Sequence, residues 1–596
     1  MLLLWGKHVS KYYLRYLIFF LIGLGSLVAV DVFQLEIPEV IGKLVDVLQH
    51  DGYIDTGSEF FKYSITRIII IAVVMFGGRV LWRLSLFFAS KKIEAHMREE
   101  MYKKAEQLDV TYYHNNKVGN IMSWATNDLE TLEEFLGWGS LMLIDGTFLT
   151  CLAIGKMFAL NYSMAIISVI PISLIIVVGA VCEKVMSDRW RIRQESNDSL
   201  YDFSQESFTG IRVIKAFVKE RQQIHAFRKL ALKNQDANVK FVKVSVLFDV
   251  TIELIIALVA SINLAIGGWF VFASMRNKPV NVFGNDIYLT GGDLITFQGY
   301  YFTLIWPLIA IGTVITMFSK ARTSYRRVAN FLDLPIDLKD KEDAVDVKIG
   351  GNIRFNHFTF TYPGAKKEAL SDVSLEIKKG ELIGVVGAVG SGKSTLVNTL
   401  VRLYNVNEGQ IYLDDTDLMD IKLDCVRSNF AFAPQDNFLF GSSIKENITF
   451  GDDNIEKLND VVSKSALKND LNSFTNGLDT EIAENGATIS GGQKQRISLS
   501  RAFYKDSPIL VLDDVVSAVD LKTEQEIIRN LKKERENKTV IIVASRVSTV
   551  MGADKVIVLK NGRLEAFDTP ENLMKNSETF SRMVLLQKLS AQKGGK

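Results

Sequence analysis

Six apolar stretches, all in the first 330 of the 596 residues, constrain the fold of this chain more than any other feature. An α-helix needs about 20 predominantly apolar residues to cross the hydrocarbon core of a bilayer, and each stretch is long enough. They cover residues 14–33, 65–89, 139–161, 163–182, 244–274 and 294–318. We therefore expect a membrane α-helical domain with six transmembrane helices.

Lysine and arginine residues gather on one side of these stretches. They precede or open the first stretch and follow the second, fourth and sixth, whereas the loop between the first two is acidic. Because basic loops remain in the cytoplasm, we expect a multi-pass protein of the plasma membrane, embedded in the lipid bilayer, with its N-terminus and its C-terminal part cytoplasmic. The charged loops 90–138 and 183–243 are predicted to be long helical extensions into the cytoplasm.

The chain changes character near residue 350. Beyond it, short β-type runs such as Phe358–Tyr362 and Thr539–Val543 alternate with helix-like segments, which indicates an α/β domain. We assign residues 1–330 to the transmembrane domain, 331–350 to a linker, and 351–590 to the α/β domain. The net charge of +1 gives no reason to expect a nucleic-acid partner. Three cysteines without a C-x-x-C pair predict neither a disulfide framework nor a cysteine metal site.

A glycine-rich loop in the α/β domain matches G-x-x-x-x-G-K-[ST] in full, from Gly387 to Ser394. It lies between a strand-like and a helix-like run, the context in which backbone N–H groups close around phosphate oxygens. We expect Lys393 to reach the β- and γ-phosphates of ATP and Ser394 to bind Mg²⁺. The loop residues assigned to nucleotide binding are Gly387, Gly390, Ser391, Gly392, Lys393, Ser394 and Thr395.

Two further motifs follow this phosphate loop. Ile489–Gln493 reads Ile-Ser-Gly-Gly-Gln, and Val511–Asp514 reads Val-Leu-Asp-Asp. In this order and spacing the three motifs resemble those of ATP-binding cassette proteins, in which the last two are the signature and Walker B motifs. The resemblance covers essentially the whole chain and is to half-transporters of the exporter type. It implies an ATPase-coupled transporter with an α/β P-loop nucleotide-binding domain, the cassette, fused to the membrane domain.

The resemblance also implies roles for residues outside the phosphate loop. Tyr362 is expected to stack on adenine, Gln435 to contact Mg²⁺ and act in catalysis, and Asp513 to hold Mg²⁺ through water. In this family each ATP site is shared, so that the signature of one chain faces the nucleotide of another. The signature residues expected to do so are Ser490, Gly491, Gly492 and Gln493.

Four segments resemble the parts of these exporters that transmit motion. Val118–Asp128, which contains Asn127, and Gly210–Phe217, which contains Lys215, resemble regions at or near the two coupling segments of the membrane domain. In the cassette, Thr480–Gly486 with Glu484 resembles the segment that contacts them, and Ser517–Asp520 resembles the D-loop that crosses between two cassettes.

Two positions depart from the family pattern around the γ-phosphate. Walker B ends in Asp514, where the family has a glutamate that polarises the attacking water, and Ser545 stands where the family has a histidine. A shorter carboxylate displaces the base, and a displacement near 1 Å can cost on the order of 10²-fold in rate. A hydroxyl has neither the reach nor the charge of an imidazole. Asp514 and Ser545 are therefore the candidate catalytic residues of a site that binds ATP and hydrolyses it poorly.

This pattern resembles the degenerate-site subunit of heterodimeric bacterial multidrug exporters. It implies a partner half-transporter that keeps the Walker B glutamate and the switch histidine, and a small amphipathic substrate. Two alternatives stay open. One is a homodimeric lipid or peptide exporter in which Asp514 suffices as the base, and the other is a non-hydrolysing, ATP-gated regulatory or channel subunit.

Five carboxylates lie within or at the edges of the apolar stretches. Ionisable groups in a membrane are costly and indicate function by default, in this case the attraction of cationic substrates. Pairing with Arg79 or Arg83, or an exposed position near a helix end, is the alternative explanation. The five residues are Asp31, Glu36, Asp145, Asp249 and Glu253. Aromatic residues between Phe297 and Trp306 are candidates for lining a cavity.

Overall fold

The computed structural model describes residues 6–51, 59–278, 280–282, 285–452, 454–483, 489–516, 521–534 and 538–593. The chain divides into two compact units. The first, the membrane unit, comprises Met1–Lys104 and Gly119–Leu334, and the second, the cassette unit, comprises Ala105–Val118 and Pro335–Lys596.

The N-terminal part of the chain is almost entirely helical. Two π-helical turns, Trp124–Asp128 and Phe135–Gly139, join three of the helices end to end. The helices are α1 (Lys7–Arg15), α2 (Leu17–Asp51), α3 (Glu59–Gln107), α4 (Val110–Asn115), α5 (Val118–Ser123), α6 (Leu129–Glu134), α7 (Ser140–Leu160), α8 (Tyr162–Thr209), α9 (Ile211–Ala216), α10 (Glu220–Met275), α11 (Gly291–Thr303) and α12 (Ile305–Leu332). Strands β1 (Val280–Val282) and β2 (Asn285–Ile287) form an antiparallel hairpin between α10 and α11.

Five of the six predicted stretches coincide with helices long and apolar enough to cross a membrane among the described residues. The remaining stretch, 163–182, falls on α8, of which Tyr162–Pro171 is described as an apolar helix segment. The predicted helical extensions are present, because α3, α8 and α10 continue well past their apolar stretches and α8 packs along α10. The expected membrane α-helical domain is confirmed.

One end of the membrane unit is fixed by close contact between α2 and α11. A side chain at Gly42 would come within 2.5 Å of the carbonyl oxygen of Gly292, so the two backbones can approach only because both residues are glycine. The carboxylate of Asp46 then accepts hydrogen bonds from the Gly292 backbone N–H (2.7 Å) and the Thr290 hydroxyl (3.0 Å). The N-terminus of α11 thereby gains a side-chain acceptor for one of its free N–H groups.

The cassette unit alternates strands and helices. Its elements are β3 (Ile353–Phe360), β4 (Leu370–Ile377), β5 (Leu382–Gly387), α13 (Lys393–Leu400), β6 (Ile411–Leu413), β7 (Thr416–Asp417), α14 (Leu423–Ser428), β8 (Phe430–Ala433), α15 (Ile444–Thr449), α16 (Ile455–Lys464), α17 (Lys468–Leu471), α18 (Gly491–Lys505), β9 (Ile509–Asp513), α19 (Leu521–Glu534), β10 (Thr539–Val543), α20 (Val547–Val550), β11 (Lys555–Lys560), β12 (Arg563–Asp568), α21 (Pro570–Asn576) and α22 (Glu578–Lys593).

Two sheets organise this unit. The larger has the strand order β12-β11-β5-β10-β9-β8, with β11, β5, β10, β9 and β8 parallel. Strands β5, β9 and β10 are buried along their whole length and consist almost entirely of apolar residues, as expected for parallel strands covered on both faces. The smaller, antiparallel sheet has the order β4-β3-β6-β7. The predicted α/β P-loop domain is confirmed.

Two segments that precede the predicted cassette boundary belong to its compact unit. The first is most of the linker, from Pro335 on, where the fully buried Arg402 donates to the carbonyl of Lys339 (3.1 Å) and the carboxylate of Asp340 (3.4 Å). The second segment is Ala105–Val118, which contains α4. Asp109 caps this short helix by accepting a hydrogen bond from the Tyr112 backbone N–H (2.9 Å).

Candidate functional site

The carboxyl ends of four neighbouring parallel strands meet at one edge of the larger sheet. Strand β10 lies between β5 and β9, and its last residue, Val543, pairs with Val385 on one side and Asp513 on the other. The segments that leave these strands carry the phosphate loop after β5, Asp514 after β9 and Ser545 after β10. Ligands of open α/β sheets bind outside this edge, so the strand order brings together motifs that are far apart in the sequence.

The phosphate loop runs from β5 into α13 through residues with left-handed backbone angles. Gly390 has φ 76° and Gly392 has φ 99°, values that glycine adopts without a steric penalty. At Gly392 space is also restricted, since a Cβ atom would lie 2.6 Å from the side chain of Leu370. The loop therefore closes directly onto the N-terminus of α13, where unpaired N–H groups favour an anion.

Lys393, the first residue of α13, folds over the loop. Its Nζ atom donates to the carbonyl oxygens of Gly387 (2.9 Å) and Ala388 (3.0 Å). Burial lowers the pKa of the Lys393 ammonium, and the carboxylates of Asp514 and Asp513 act in the opposite direction. Lys393 thus lies at the phosphate loop and interacts electrostatically with the carboxylates of Asp513 and Asp514.

Asp513, the last residue of β9, is 2% exposed. Burial raises the pKa of its carboxyl above the ordinary range, while the Ser394 hydroxyl beside it and the Lys393 cation act in the opposite direction. Within the described ranges no hydrogen-bond donor reaches its Oδ1 atom. A buried carboxylate oxygen without a hydrogen-bond donor is costly. A hard cation, or a water molecule bound to it, would supply the positive charge or the hydrogen bond that this oxygen lacks. Ser394 and Asp513 therefore fit a Mg²⁺ ion.

The two residues that depart from the family pattern contact each other. The Ser545 hydroxyl donates to the Asp514 Oδ1 atom at 3.0 Å, and the Ser545 backbone N–H approaches the same oxygen at 3.4 Å. Asp514 has φ 53°, and its backbone N–H donates to the carbonyl of Val543 at 3.0 Å. The position of its carboxylate is therefore fixed by the end of β10 and by Ser545. Gln495, in α18, approaches the carbonyl of Asp514 at 3.4 Å.

The signature motif forms the N-terminus of α18. The Ser490 hydroxyl accepts from the Gln493 backbone N–H (3.3 Å), and the Gln493 side chain accepts from the Ser490 backbone N–H (2.9 Å). This is a complete capping box. A Cβ atom at Gly491 would meet nothing within 4 Å, and Gly491 is exposed. The signature thus presents a helix N-terminus with open space in front of it.

Two further residues of the predicted site lie at the edge of this region. Tyr362 packs edge-on against Tyr404 with ring centroids 5.2 Å apart, and its hydroxyl is 2.9 Å from the Thr395 hydroxyl in α13. Gln435 is exposed and lies two residues beyond the end of β8, the strand next to β9. Tyr362 is thus attached to the phosphate-loop helix, and Gln435 follows a strand adjacent to the one that carries Asp513.

The motifs predicted to transmit motion have different outcomes. Glu484 and Ser517–Asp520 lie outside the described residues. Of Val118–Asp128, only Val118 belongs to the cassette unit, together with the preceding Ala105–Lys117, and residues 119–128 belong to the membrane unit. There the buried Asp128 accepts from the Arg327 guanidinium (2.7 Å) and the Ser324 hydroxyl (2.7 Å). The role of Val118–Asp128 in coupling therefore stays a prediction.

Gln587 is a residue of this region that the motifs did not indicate. From α22, its side chain accepts from the Val547 backbone N–H (2.8 Å) and donates to the Ser545 carbonyl (3.2 Å). It therefore positions the loop that carries Ser545. A glutamine in a C-terminal amphipathic helix has no sequence signature, and only the packing of α22 against α20 and β5 reveals its contact.

Comparison with known proteins agrees with this arrangement. Residues 20–308 match the family described as "ABC transporter transmembrane region", and residues 370–517 match "ABC transporter". The chain is 30% identical over 594 residues to the "Probable multidrug resistance ABC transporter ATP-binding/permease protein YheI" of Bacillus subtilis (strain 168), which covers 99% of this chain and 98% of that protein. The chain belongs to the ABC transporter family.

Two further comparisons define its architecture. The "Multidrug resistance-like ATP-binding protein MdlA" of Escherichia coli (strain K12) is 31% identical over 587 residues, 98% of this chain and 96% of that protein. The structure of "a bacterial Atm1-family ABC exporter with ATP bound" superposes with a TM-score of 0.75 at 21% identity, covering 97% of this chain and 98% of that one. This ABC protein is therefore a half-transporter of the exporter type, a multi-pass membrane protein coupled to an ATPase.

Proposed function

We propose that this half-transporter is one subunit of a heterodimeric exporter that moves drugs or other amphipathic compounds out of the cytoplasm across the plasma membrane. It binds ATP and Mg²⁺ at a site that hydrolyses poorly and gives its signature motif to the hydrolysing site of its partner. The compound class is supported by two relatives that cover nearly the whole chain and carry multidrug-resistance names. The partner is a second half-transporter with a Walker B glutamate and a switch histidine.

ATP binding rests on the phosphate-loop side of the site. The left-handed glycines, the N-terminus of α13 and Lys393 supply N–H groups and positive charge for the phosphates. Ser394, Asp513 and Gln435 are the proposed Mg²⁺ ligands, directly or through water, and a bound ion would supply the charge compensation that the buried Asp513 lacks. Tyr362 is the proposed adenine contact.

The contact between Asp514 and Ser545 is the observation that carries the proposal of poor hydrolysis. A general base must reach the water from which it takes a proton. The Asp514 carboxylate is one methylene shorter than glutamate, and Oδ1, one of its two oxygens, accepts the Ser545 hydroxyl. Ser545 in turn cannot supply the charge that a histidine brings to the γ-phosphate. Both departures therefore weaken catalysis at the same place while the binding groups are kept.

The need for a second half-transporter is supported by two exposed surfaces. The signature helix N-terminus has open space at Gly491, which fits a nucleotide held by another chain. The short helix α9 and the residues after it expose Ile211, Val213, Phe217 and Val218, each more than two-fifths exposed. Val218 has φ 52°, a strained conformation for a β-branched residue. Apolar side chains and strain at a helix end are typical of a surface that another chain covers.

ATPase measurements on the purified chain, alone and with a half-transporter that has Asp-Glu and histidine at the two positions, test this proposal. We expect the chain alone to bind ATP with little turnover and the pair to hydrolyse it. As a control, a partner whose Walker B glutamate is replaced by glutamine should leave the pair with the low turnover of the first chain. Robust turnover by the chain alone would overturn the degenerate-site proposal and favour a homodimer.

A further inference from the structure

The carboxylates of the membrane helices fall into three groups in the structure. Asp249 and Glu253, on α10, are exposed. Glu36 is paired with Arg67, whose Nη2 atom donates to it at 2.6 Å. Glu39 is also compensated, because its Oε1 atom lies 2.5 Å from the Lys156 ammonium and accepts from Tyr300 at 2.6 Å. The third group is different.

Asp31 of α2 and Asp145 of α7 form this third group. They are 1% and 8% exposed, and their carboxyl groups lie within hydrogen-bonding reach of each other. A hydrogen bond between two carboxyl groups requires a shared proton, since two adjacent carboxylates do not both ionise. The pair therefore holds one negative charge at most.

No basic side chain compensates this charge in the part of the chain that the structure describes. Neither aspartate takes part in a salt bridge there, and no donor reaches the Oδ2 atom of Asp31. A buried, unpaired charge is among the costliest groups in a membrane protein, and such groups are retained for function. Glu36 and Glu39, also on α2, are each paired with a cation from a neighbouring helix, Arg67 of α3 and Lys156 of α7. The membrane helices therefore do supply basic partners to other carboxylates.

Trp306 of α12 completes the group. Its indole N–H donates to the Asp145 Oδ2 atom at 3.0 Å, while the side chain stays about half exposed. An indole ring beside a carboxylate offers both a negative charge and a π face to a cation. The carboxyl pair itself is buried, and the half-exposed indole ring in contact with Asp145 is the part of this group that a ligand can reach.

We propose that Asp31, Asp145 and Trp306 form a binding site for a monovalent organic cation with aromatic groups. This inference rests on the proposed export of amphipathic compounds and identifies a cation as one substrate class. The single charge matches the single charge of the pair, and the indole favours a large, weakly hydrated cation over a metal ion. The described residues contain no group of three or more His, Cys, Asp or Glu side chains that could hold a metal ion.

The test measures binding of tetraphenylphosphonium and of the neutral triphenylphosphine oxide to the full-length chain with its partner, in lipid nanodiscs without nucleotide. The double substitution Asp31→Asn and Asp145→Asn removes the charge, whereas either single substitution leaves one aspartate able to carry it. We expect the double variant to bind the cation at least about tenfold more weakly and the neutral probe as before. The matched control, Asp249→Asn with Glu253→Gln, removes two exposed carboxylates and should bind both probes like the wild type.

Three results with the variants would overturn the site: unchanged cation binding in the double variant, an equal loss of both probes, and an equal loss in the control. Two results with the wild-type complex would also overturn it. Binding of the neutral probe without the cation would leave the proposed export of amphipathic compounds standing, whereas binding of neither probe would overturn the site and the proposed export together. Because no nucleotide is present, none of these results depends on the hydrolysis proposed for the cassette.

Discussion

The two halves of the nucleotide machinery in this chain differ in how far they keep the family pattern. At the signature half, Ser490 and Gln493 form an intact capping box and Gly491 faces open space. At the phosphate-loop half, the binding groups are present, but Asp514 and Ser545 are both altered and contact each other. This difference is the basis of the proposal that the chain is weak in its own site and serves a strong site in a partner, since in the proposed heterodimer the two halves act on different nucleotides.

The largest effect is expected at the signature half. Gly491→Asp should lower ATP hydrolysis by the complex on the order of a hundredfold or more, since the added carboxylate would face the phosphates and repel their negative charge. ATP binding at Lys393 should be kept. Because a Cβ atom at Gly491 meets nothing in the described part of this chain, the melting temperature should not change. Ser490→Arg and Gly492→Asp are expected to act in the same direction.

ATPase activity of the complex, photolabelling of this chain by an azido-ATP analogue, and thermal unfolding measure the three quantities. Gly491→Ala, which adds one methyl group, is the control for substitution itself and should retain more activity. Full hydrolysis by the Gly491→Asp complex would mean that the signature of this chain does not serve the hydrolysing site.

At the phosphate-loop half, the two altered residues can be returned to the family pattern. Asp514→Glu combined with Ser545→His should raise turnover by the isolated chain on the order of tenfold or more, because the longer carboxylate reaches the water and the imidazole replaces the hydroxyl. In the complex, where the site of the partner sets the rate, Asp514→Glu should change turnover only modestly. The measurement is steady-state phosphate release. A large rise in the complex and none in the isolated chain would contradict the proposed division of work.

The third prediction concerns stability. Burial raises the pKa of the Asp513 carboxyl in the folded cassette, so its ionised form destabilises the fold at any pH above its ordinary, unfolded pKa. Asp513→Asn should therefore raise the melting temperature of the nucleotide-free cassette at neutral pH, because a neutral amide avoids the cost of burying an ionised carboxylate. The gain should vanish as the pH falls to the range where Asp513 is protonated in both states.

Thermal unfolding with and without Mg·ATP gives a second readout of the same variant. The wild-type cassette should be stabilised by the complex of ion and nucleotide, and Asp513→Asn should lose most of this stabilisation. Asp415→Asn, which removes an exposed acidic group in the same unit, serves as the control. An unchanged response to Mg·ATP would mean that Asp513 does not hold the ion.

The smallest effect on ATPase activity is expected from the coupling segment. Asp109→Ala removes the cap of α4, which costs about 1 kcal/mol of helix stability, and should uncouple transport from hydrolysis while ATPase activity is largely retained. Asn127→Ala, in the segment first predicted from the sequence, is the control and should transport normally. Drug transport in membrane vesicles, measured beside ATPase activity, decides between the two segments. Loss of transport only with Asn127→Ala would instead place the coupling contact in Val118–Asp128.

Motif spacing predicted the elements of the cassette because the phosphate loop and the signature are local structures. Each combines a strand or loop with a helix N-terminus within about ten residues, and glycine, serine and lysine at fixed positions are sufficient to indicate it. The contact between Asp514 and Ser545 was not predictable in this way. The two residues were identified as separate departures, and only the adjacency of β9 and β10 brings them within 3.0 Å.

The sequence alone determined the membrane helices, the α/β cassette and the binding half of the ATP site, because apolar length and short-range backbone geometry decide these features. Tertiary structure alone decided which carboxylates of the membrane helices have partners and that Ala105–Val118 belongs to the cassette unit. Asp31 and Asp145 are more than 100 residues apart, and no periodicity indicates that their helices meet. Whether a buried charge is compensated depends on neighbours that distant parts of the chain supply, and packing selects those neighbours.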